Sequence, residues 1–257
     1  MRRSVMLEKL RNGGYVVLTQ SWIVPHWKMV DLMGKVGFDG VWIEYEHSDF
    51  TYAEMSQMIL AAGANDMDSL IRVERSGYNG IIKPLEAGAT GIIVPQCKDG
   101  DDAKNIVQDA KYSPMGLRGA GGSVDADYGT TDRMKYFSEA NSETIVAVII
   151  ENKEAVEDVD AIASTEGVDI LLMGPGDLSQ SYGYLGQVNH ELVVTATNRV
   201  ADACAKHGKW WGTPVSNAEE AQDMLRRGGR IVQGPNDQGV LVPGFQRVRD
   251  MYRGLEI

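Results

Sequence analysis

Eight short runs rich in Val, Ile and Leu recur along this chain, each followed by a stretch with helical periodicity, and that rhythm constrains its fold more than anything else. The runs cover residues 15–21, 40–47, 69–74, 91–97, 144–152, 169–176, 209–215 and 230–235. Most are continuously apolar rather than alternating, as strands covered on both faces by helices should be. Between them lie segments such as AEMSQMILAAG, DDAKNIVQDAKY, AVEDVDAIAS, ELVVTATNRVADACAKHG and NAEEAQDMLRRG, several ending in a helix-stopping glycine. Eight βα units in succession predict an α/β fold, a closed (β/α)8 barrel of the TIM type. The 257 residues suit one such barrel as a single domain, residues 1–257. The rival is a doubly wound open sheet, whose dinucleotide fingerprint would have to be GAGG at residues 119–122. That cluster follows a turn and opens no helix, so the barrel is the expected fold.

One connection breaks the rhythm. Between the fourth and fifth runs the chain carries SPMGLRGAGGSVDADYGT, a long Gly-rich stretch expected on the same rim as the active site. There it would serve as a lid or be a solvated insertion.

Charge narrows the partners. The net charge is −11 and no Lys/Arg run occurs, which argues against nucleic acid or an anionic membrane surface. An acidic exterior also repels anionic substrates, so an anion site must carry its own positive charge. The N-terminal MRRSVMLEKLRNGG is basic but lacks the apolar core of a secretion signal, and no run is long enough to span a membrane. With two cysteines, Cys97 and Cys204, and no C-x-x-C, a reduced cytoplasmic protein is expected.

In a βα barrel the chemistry sits at the C-terminal ends of the strands. The polar residues there are Gln20, then Glu44, Glu46 and His47, then Arg72 and Glu74, Gln96, Glu151, Asp177, Thr213, and finally Asn236 and Asp237. Glu151 and Asp177 stand one βα repeat apart, each just after an apolar run. Neighbouring strands lie about 4.8 Å apart, so two such carboxylates at one height can share a cation. Hard divalent ions take carboxylate oxygens and keep open positions for water or substrate. The alternative is a pair of solvated loop acids. Asp177 lies in MGPGD, where the amides of Gly174, Gly176 and Asp177 suit either a substrate carboxylate or a plain tight turn.

His47 at a strand end beside acids suits a general base, provided the strand bends there, because Glu44 and Glu46 share one face and His47 the other. Otherwise it sits on a surface loop. Arg72 ends the run LIRV and supplies the local positive charge, to an anionic substrate or to Glu44 or Glu74 in an ion pair, two roles that are not exclusive. No lysine stands where a Schiff-base aldolase needs one. Lys83 falls in a helical stretch, Lys209 opens the seventh run at the wrong end, and Lys153 should point away from Glu151. No phosphate loop closes the last two runs, so carboxylate substrates are expected over sugar phosphates.

The segments GFDGVWIEYEHSDF, IRVERSGYNGIIKPLEAGATGIIVPQC, KYSPMGLRG, IIENKEAVEDVDAI and LLMGPGDLSQSYG, taken in order, resemble the metal-dependent class II pyruvate aldolases of the HpcH/HpaI family. That family includes 4-hydroxy-2-oxoheptanedioate and 2-keto-3-deoxyglucarate aldolases, and the resemblance covers nearly the whole chain. It implies a phosphoenolpyruvate/pyruvate-type barrel assembled as a hexamer, a trimer of dimers. It implies magnesium, manganese or cobalt on Glu151 and Asp177, chelated by the 2-keto and carboxylate oxygens of pyruvate. Arg72 would neutralise the enolate oxygen, and His47 would act as acid and base through metal-bound water. Backbone amides around Gly174, Pro175, Gly176 and Asp177 would take the carboxylate. Glu86 would help position the aldehyde from the trimer-facing side of the mouth. Read from their places at strand ends, Gln20 and Tyr45 are further substrate-binding candidates.

Two positions depart from the pattern. Glu44 stands where the family usually has Asp, in a role orienting His47, and Tyr45 stands where a small residue is usual; Trp22, His26 and Trp27 also differ. A bulkier entrance points to another acceptor aldehyde or to a related enolate reaction, such as oxaloacetate decarboxylation or carbon–carbon bond formation. A degenerate barrel serving as a binding protein is the non-enzymatic alternative. Finally, VPGFQRVRDMYRGLEI predicts a helix opening at Pro243, with Phe245, Val248, Met251, Tyr252 and Leu255 on one stripe. Such a stripe usually packs on its own barrel, whereas the resemblance offers exchange with a neighbouring subunit.

Overall fold

In the computed structural model, which describes residues 2–255, eight parallel strands close into a barrel in sequence order. They are β1 (Val16–Ser21), β2 (Gly40–Glu44), β3 (Asp68–Arg72), β4 (Gly91–Val94), β5 (Ile145–Ile150), β6 (Ile170–Met173), β7 (Trp210–Pro214) and β8 (Ile231–Asn236). The ring closes where β1 pairs with β8. Helix α1 (Val5–Arg11) precedes the barrel, and its buried Met6, Leu7 and Leu10 pack into the interior cluster at the N-terminal end. Around the strands run α2 (Trp27–Val36), α3 (Tyr52–Gly63), α4 (Tyr78–Glu86), α5 (Gly100–Ala110) and α6 (Arg133–Glu143). After β5 come α7 (Lys153–Glu157) and α8 (Val159–Ser164), and after β6 come α9 (Pro175–Ser181) and α10 (Glu191–His207). The last two are α11 (Ala218–Arg226) and α12 (Asp237–Met251).

Side chains alternate along a strand, so each strand feeds two cores. Leu18, Trp42, Leu70, Ile93, Ile149, Leu172 and Ile231 fill the barrel interior. Val41, Ile43, Ile71, Val94, Val148, Ile150, Leu171 and Val232 face the helices. Double coverage is why the runs read as continuously apolar.

Three expectations need correction. The long Gly-rich connection is not on the active-site rim. Helix α5 first carries the chain back to the N-terminal end, where Lys111 Nζ donates to the carbonyls of Asn141 and Thr144, just before β5. The amide of Tyr112 bonds Asn141 there (2.7 Å), and Val124 packs close to Gly88 beneath β4. Second, α12 opens at Asp237, not at Pro243, because the Asn236 side chain caps it by accepting the Gly239 amide; Pro243 lies inside the helix. Third, its stripe does not pack on its own barrel: Phe245, Met251 and Leu255 are 69%, 70% and 75% exposed. Among the described residues of α12 only Asp237 is buried.

Candidate active site

The barrel mouth is built by adding one inward-facing residue above each interior core position. Two residues beyond Leu18 comes Gln20, beyond Trp42 comes Glu44, and beyond Leu70 comes Arg72. Beyond Ile149 comes Glu151, and beyond Leu172 comes Gly174. All but the glycine are buried polar side chains. Gly174 is required where it stands: a Cβ would lie 2.6 Å from the Glu151 Cβ and 2.8 Å from its Oε2. The missing side chain is the space that Glu151 occupies.

Arg72 is the centre of the charge. Its guanidinium lies 3.4 Å from Glu44, 2.6 Å from Glu46 and 3.6 Å from Glu151, with the Trp42 ring 5.9 Å from Cζ. Of the two roles offered by the sequence the structure shows the ion pair: Arg72 pairs with Glu44 and also with two further acids at the mouth. Glu44 is wholly buried and fully engaged. Its Oε1 accepts the amides of Glu46 (2.9 Å) and His47 (3.0 Å), and its Oε2 accepts from the Trp42 indole (3.3 Å). Those amide bonds end β2 at Glu44 and supply the bend that His47 needed. Its ring now sits at the rim, with Nε2 3.4 Å from Glu46 Oε2 and the Trp22 indole parallel to it at 6.5 Å.

Glu151 accepts the amide of Gln96 at 2.6 Å, and Gln96 adopts a left-handed φ of 51° to present it. Burial pushes the Glu151 carboxyl up to about 7; the Gln96 amide and Arg72 oppose that rise, while Asp177 and Glu46 add to it. Glu46 is also raised, again chiefly by burial, against the pull of Arg72 and His47. Asp177 occupies the first turn of α9, exposed, and its charge reaches both acids. Pro175 starts this helix, so residues 174–176 turn rather than extend β6. The Gly174 amide is taken by the Ile150 carbonyl, which leaves those of Gly176 and Asp177 as the first-turn donors.

The donor set fits a hard divalent cation. Glu44, Glu46 and Glu151 surround one guanidinium, the charge of Asp177 reaches Glu46 and Glu151, and buried Glu46 Oε2 and Arg72 Nε both lack a directed hydrogen bond. Among the described residues no three Asp, Glu, His or Cys side chains group tightly enough to hold a metal alone. Two carboxylates completed by water and substrate oxygens are the arrangement that remains.

Two expected residues are not brought to this mouth. Tyr45 points outward, as alternation from Glu44 requires, and lines a cavity between α3 and α4 with Tyr52, Met55, Glu74 and Lys83. Glu86 ends α4 at the far face, where its carboxylate lies against Gly121 in the Gly-rich connection. Glu46, absent from the expected site, lies at this mouth beside Arg72 and His47. Its signal was the face it shares with Glu44.

The HpcH/HpaI aldolase/citrate lyase family matches residues 25–243. A 5-keto-4-deoxy-D-glucarate aldolase of Enterobacter sp. (strain 638) is 29% identical over 224 residues, 87% of each chain. The crystal structure of an HpcH/HpaI aldolase from Desulfitobacterium hafniense DCB-2 superposes with a TM-score of 0.92 at 27% identity, covering 98% of this chain and 97% of that one. A citrate synthase, SbnG, gives a TM-score of 0.88 at 27% identity, covering 97% of this chain and 98% of the other.

Proposed function

The chain belongs to the HpcH/HpaI aldolase/citrate lyase family, and from that premise we propose a divalent-metal-dependent aldolase that cleaves or forms a 4-hydroxy-2-oxo acid, with pyruvate as one product and an aldehyde as the other. The observation that carries this reading is the mouth itself: one guanidinium set among Glu44, Glu46 and Glu151, with Glu151 held near neutrality by burial.

Magnesium, manganese or cobalt bound by Glu151 and Asp177 would supply Lewis-acid stabilisation of negative charge on the substrate oxygens. The protein's own groups do the rest. Cleavage removes the proton of the C4 hydroxyl, breaks the C3–C4 bond and sends the electron pair toward the C2 carbonyl. His47 receives that proton, oriented by Glu46 at Nε2 and by the bend that Glu44 imposes on its backbone. Arg72 meets the charge developing on the C2 oxygen. The amides of Gly176 and Asp177 take the carboxylate of the 2-oxo acid, and the Gln20 amide lines the mouth beside β8. Glu86, at the far end of α4, can position an aldehyde only in a neighbouring subunit's mouth. Tyr45 acts on substrate only indirectly, through Glu44 and Glu46 on either side of it.

The exposed apolar face of α12 supports a homo-oligomer, a hexamer in which this helix packs on a neighbouring subunit. No helix among the described residues is long and apolar enough to cross a membrane; the cysteine pattern supports a cytoplasmic location.

The test is proton exchange. Metal-replete protein should wash deuterium into the pyruvate methyl group in heavy water and release pyruvate from a 4-hydroxy-2-oxo acid. Absence of both would end the proposal. A second reading, favoured by the likeness to a citrate synthase, is carbon–carbon bond formation or oxaloacetate decarboxylation in the same mouth. There exchange persists while sugar-acid aldol substrates are inert.

A further inference from the structure

The loop after β1 is held by a residue that neither the fold nor the chemistry above requires. Asp237, the first residue of α12, is buried. Its carboxylate accepts three consecutive backbone amides across the β1–β8 seam: Trp22 (3.0 Å), Ile23 (3.2 and 3.1 Å) and Val24 (3.0 Å). Capping does not explain it, since Asn236 already caps α12 through the Gly239 amide, and Asp237 takes only the adjacent Gln238 amide (2.9 Å) from its own helix. Consecutive amides in an extended chain point opposite ways, so three converging on one carboxylate define a tightly turned path. The Ser21 hydroxyl, donating to the Val24 carbonyl (3.1 Å), closes the same turn.

That path decides where Trp22 leaves the backbone. The half-buried indole lies parallel to the His47 imidazole, 6.5 Å between centroids and 11° between planes. His47 needs such a wall: its side chain is 54% exposed, and its other contact is the 3.4 Å approach to Glu46. We propose that Asp237 is a positioning residue for His47: it orders residues 22–24 so that the Trp22 indole holds the imidazole over the mouth. The inference rests on the role assigned to His47 above.

The experiment compares wild type, D237N, W22A and the double variant, with histidine labelled at Cε1 and the His47 resonance assigned by its loss in H47N. In metal-free protein, D237N and W22A should both move the His47 resonance, and in the same direction. With saturating divalent metal, each should lower kcat for pyruvate release roughly tenfold while KM stays within about twofold, and the double variant should be no worse than W22A alone. A wild-type His47 resonance and kcat in D237N, or losses that add in the double variant, overturn the proposal. If D237N fails to fold, W22A decides: an unmoved resonance and an unchanged kcat there overturn it equally. A wild type that neither exchanges nor releases pyruvate refutes the aldolase reading instead, and the substrate-free resonance comparison still judges Asp237.

Discussion

Glu151 shows how one side chain is tuned by where its strand ends. A solvated glutamate has a pKa of 4.5, and this one is pushed up to about 7, first of all by burial. A carboxyl with a raised native pKa costs nothing while both states are protonated. As pH climbs from about 4.5 toward 7 the unfolded chain releases a proton that the native protein keeps, so stability falls through that window and then levels off. A divalent cation relieves the same burden by compensating the charge. E151Q should therefore melt a few degrees above wild type at pH 8 in chelator, with the gain shrinking toward pH 4.5. Added magnesium or manganese should raise the melting temperature of wild type and leave E151Q unmoved. A pH-independent offset between the two proteins would sink the argument. Tyr45 teaches a different lesson at this scale. It looks like an entrance residue because it sits between Glu44 and Glu46, yet a period of two sends it to the opposite face, against α3 and α4.

Among the elements, some strands approach so closely that only glycine fits between them. Gly212 in β7 pairs with Ile231 in β8, and a Cβ there would lie 2.1 Å from the Ile231 carbonyl oxygen and 2.6 Å from its Cβ. Neither atom can give way without moving the strand. G212A should cost roughly 1–3 kcal/mol in urea unfolding, the range for overpacking a tight site, and a midpoint unchanged from wild type would show that the barrel yields more easily than this. Helix α5 makes a related point about order. The Gly-rich stretch follows a strand in the sequence, but one intervening helix reverses the chain and delivers it to the opposite face. The helical pattern in DDAKNIVQDAKY was legible; its consequence for the loop follows only once the helix is counted as a return.

For the whole molecule, the exterior is unevenly finished. Along α12 and just past its end, Phe245, Val248, Met251 and Tyr252 are between 54% and 70% exposed, an apolar stripe of the kind that a partner surface covers. If a neighbouring subunit covers it, F245E combined with M251E should shift the protein to smaller species in sedimentation while its far-UV dichroism stays native. Unchanged assembly in that variant would place the interface elsewhere. Asp237, the first residue of this helix, also grips the loop beside His47, so the helix and the mouth share one buried carboxylate.

The sequence alone determined the barrel and which inward-facing residues crown its strands. Both follow from local periodicity: a strand's alternation places Gln20, Glu44, Arg72 and Glu151 one step above residues that must be buried. What it could not determine was anything set by where separate segments meet. That Glu86 lies against Gly121 at the far face and that Asp237 holds Trp22 across the closing seam are contacts between segments far apart in the chain, and even the local turn in which Glu44 takes the Glu46 and His47 amides shows only once its carboxylate is placed. Strand ends are legible because burial repeats every two residues. The path of residues 22–24 is not, because the hydrogen bonds that fix it come from a partner far away in the chain.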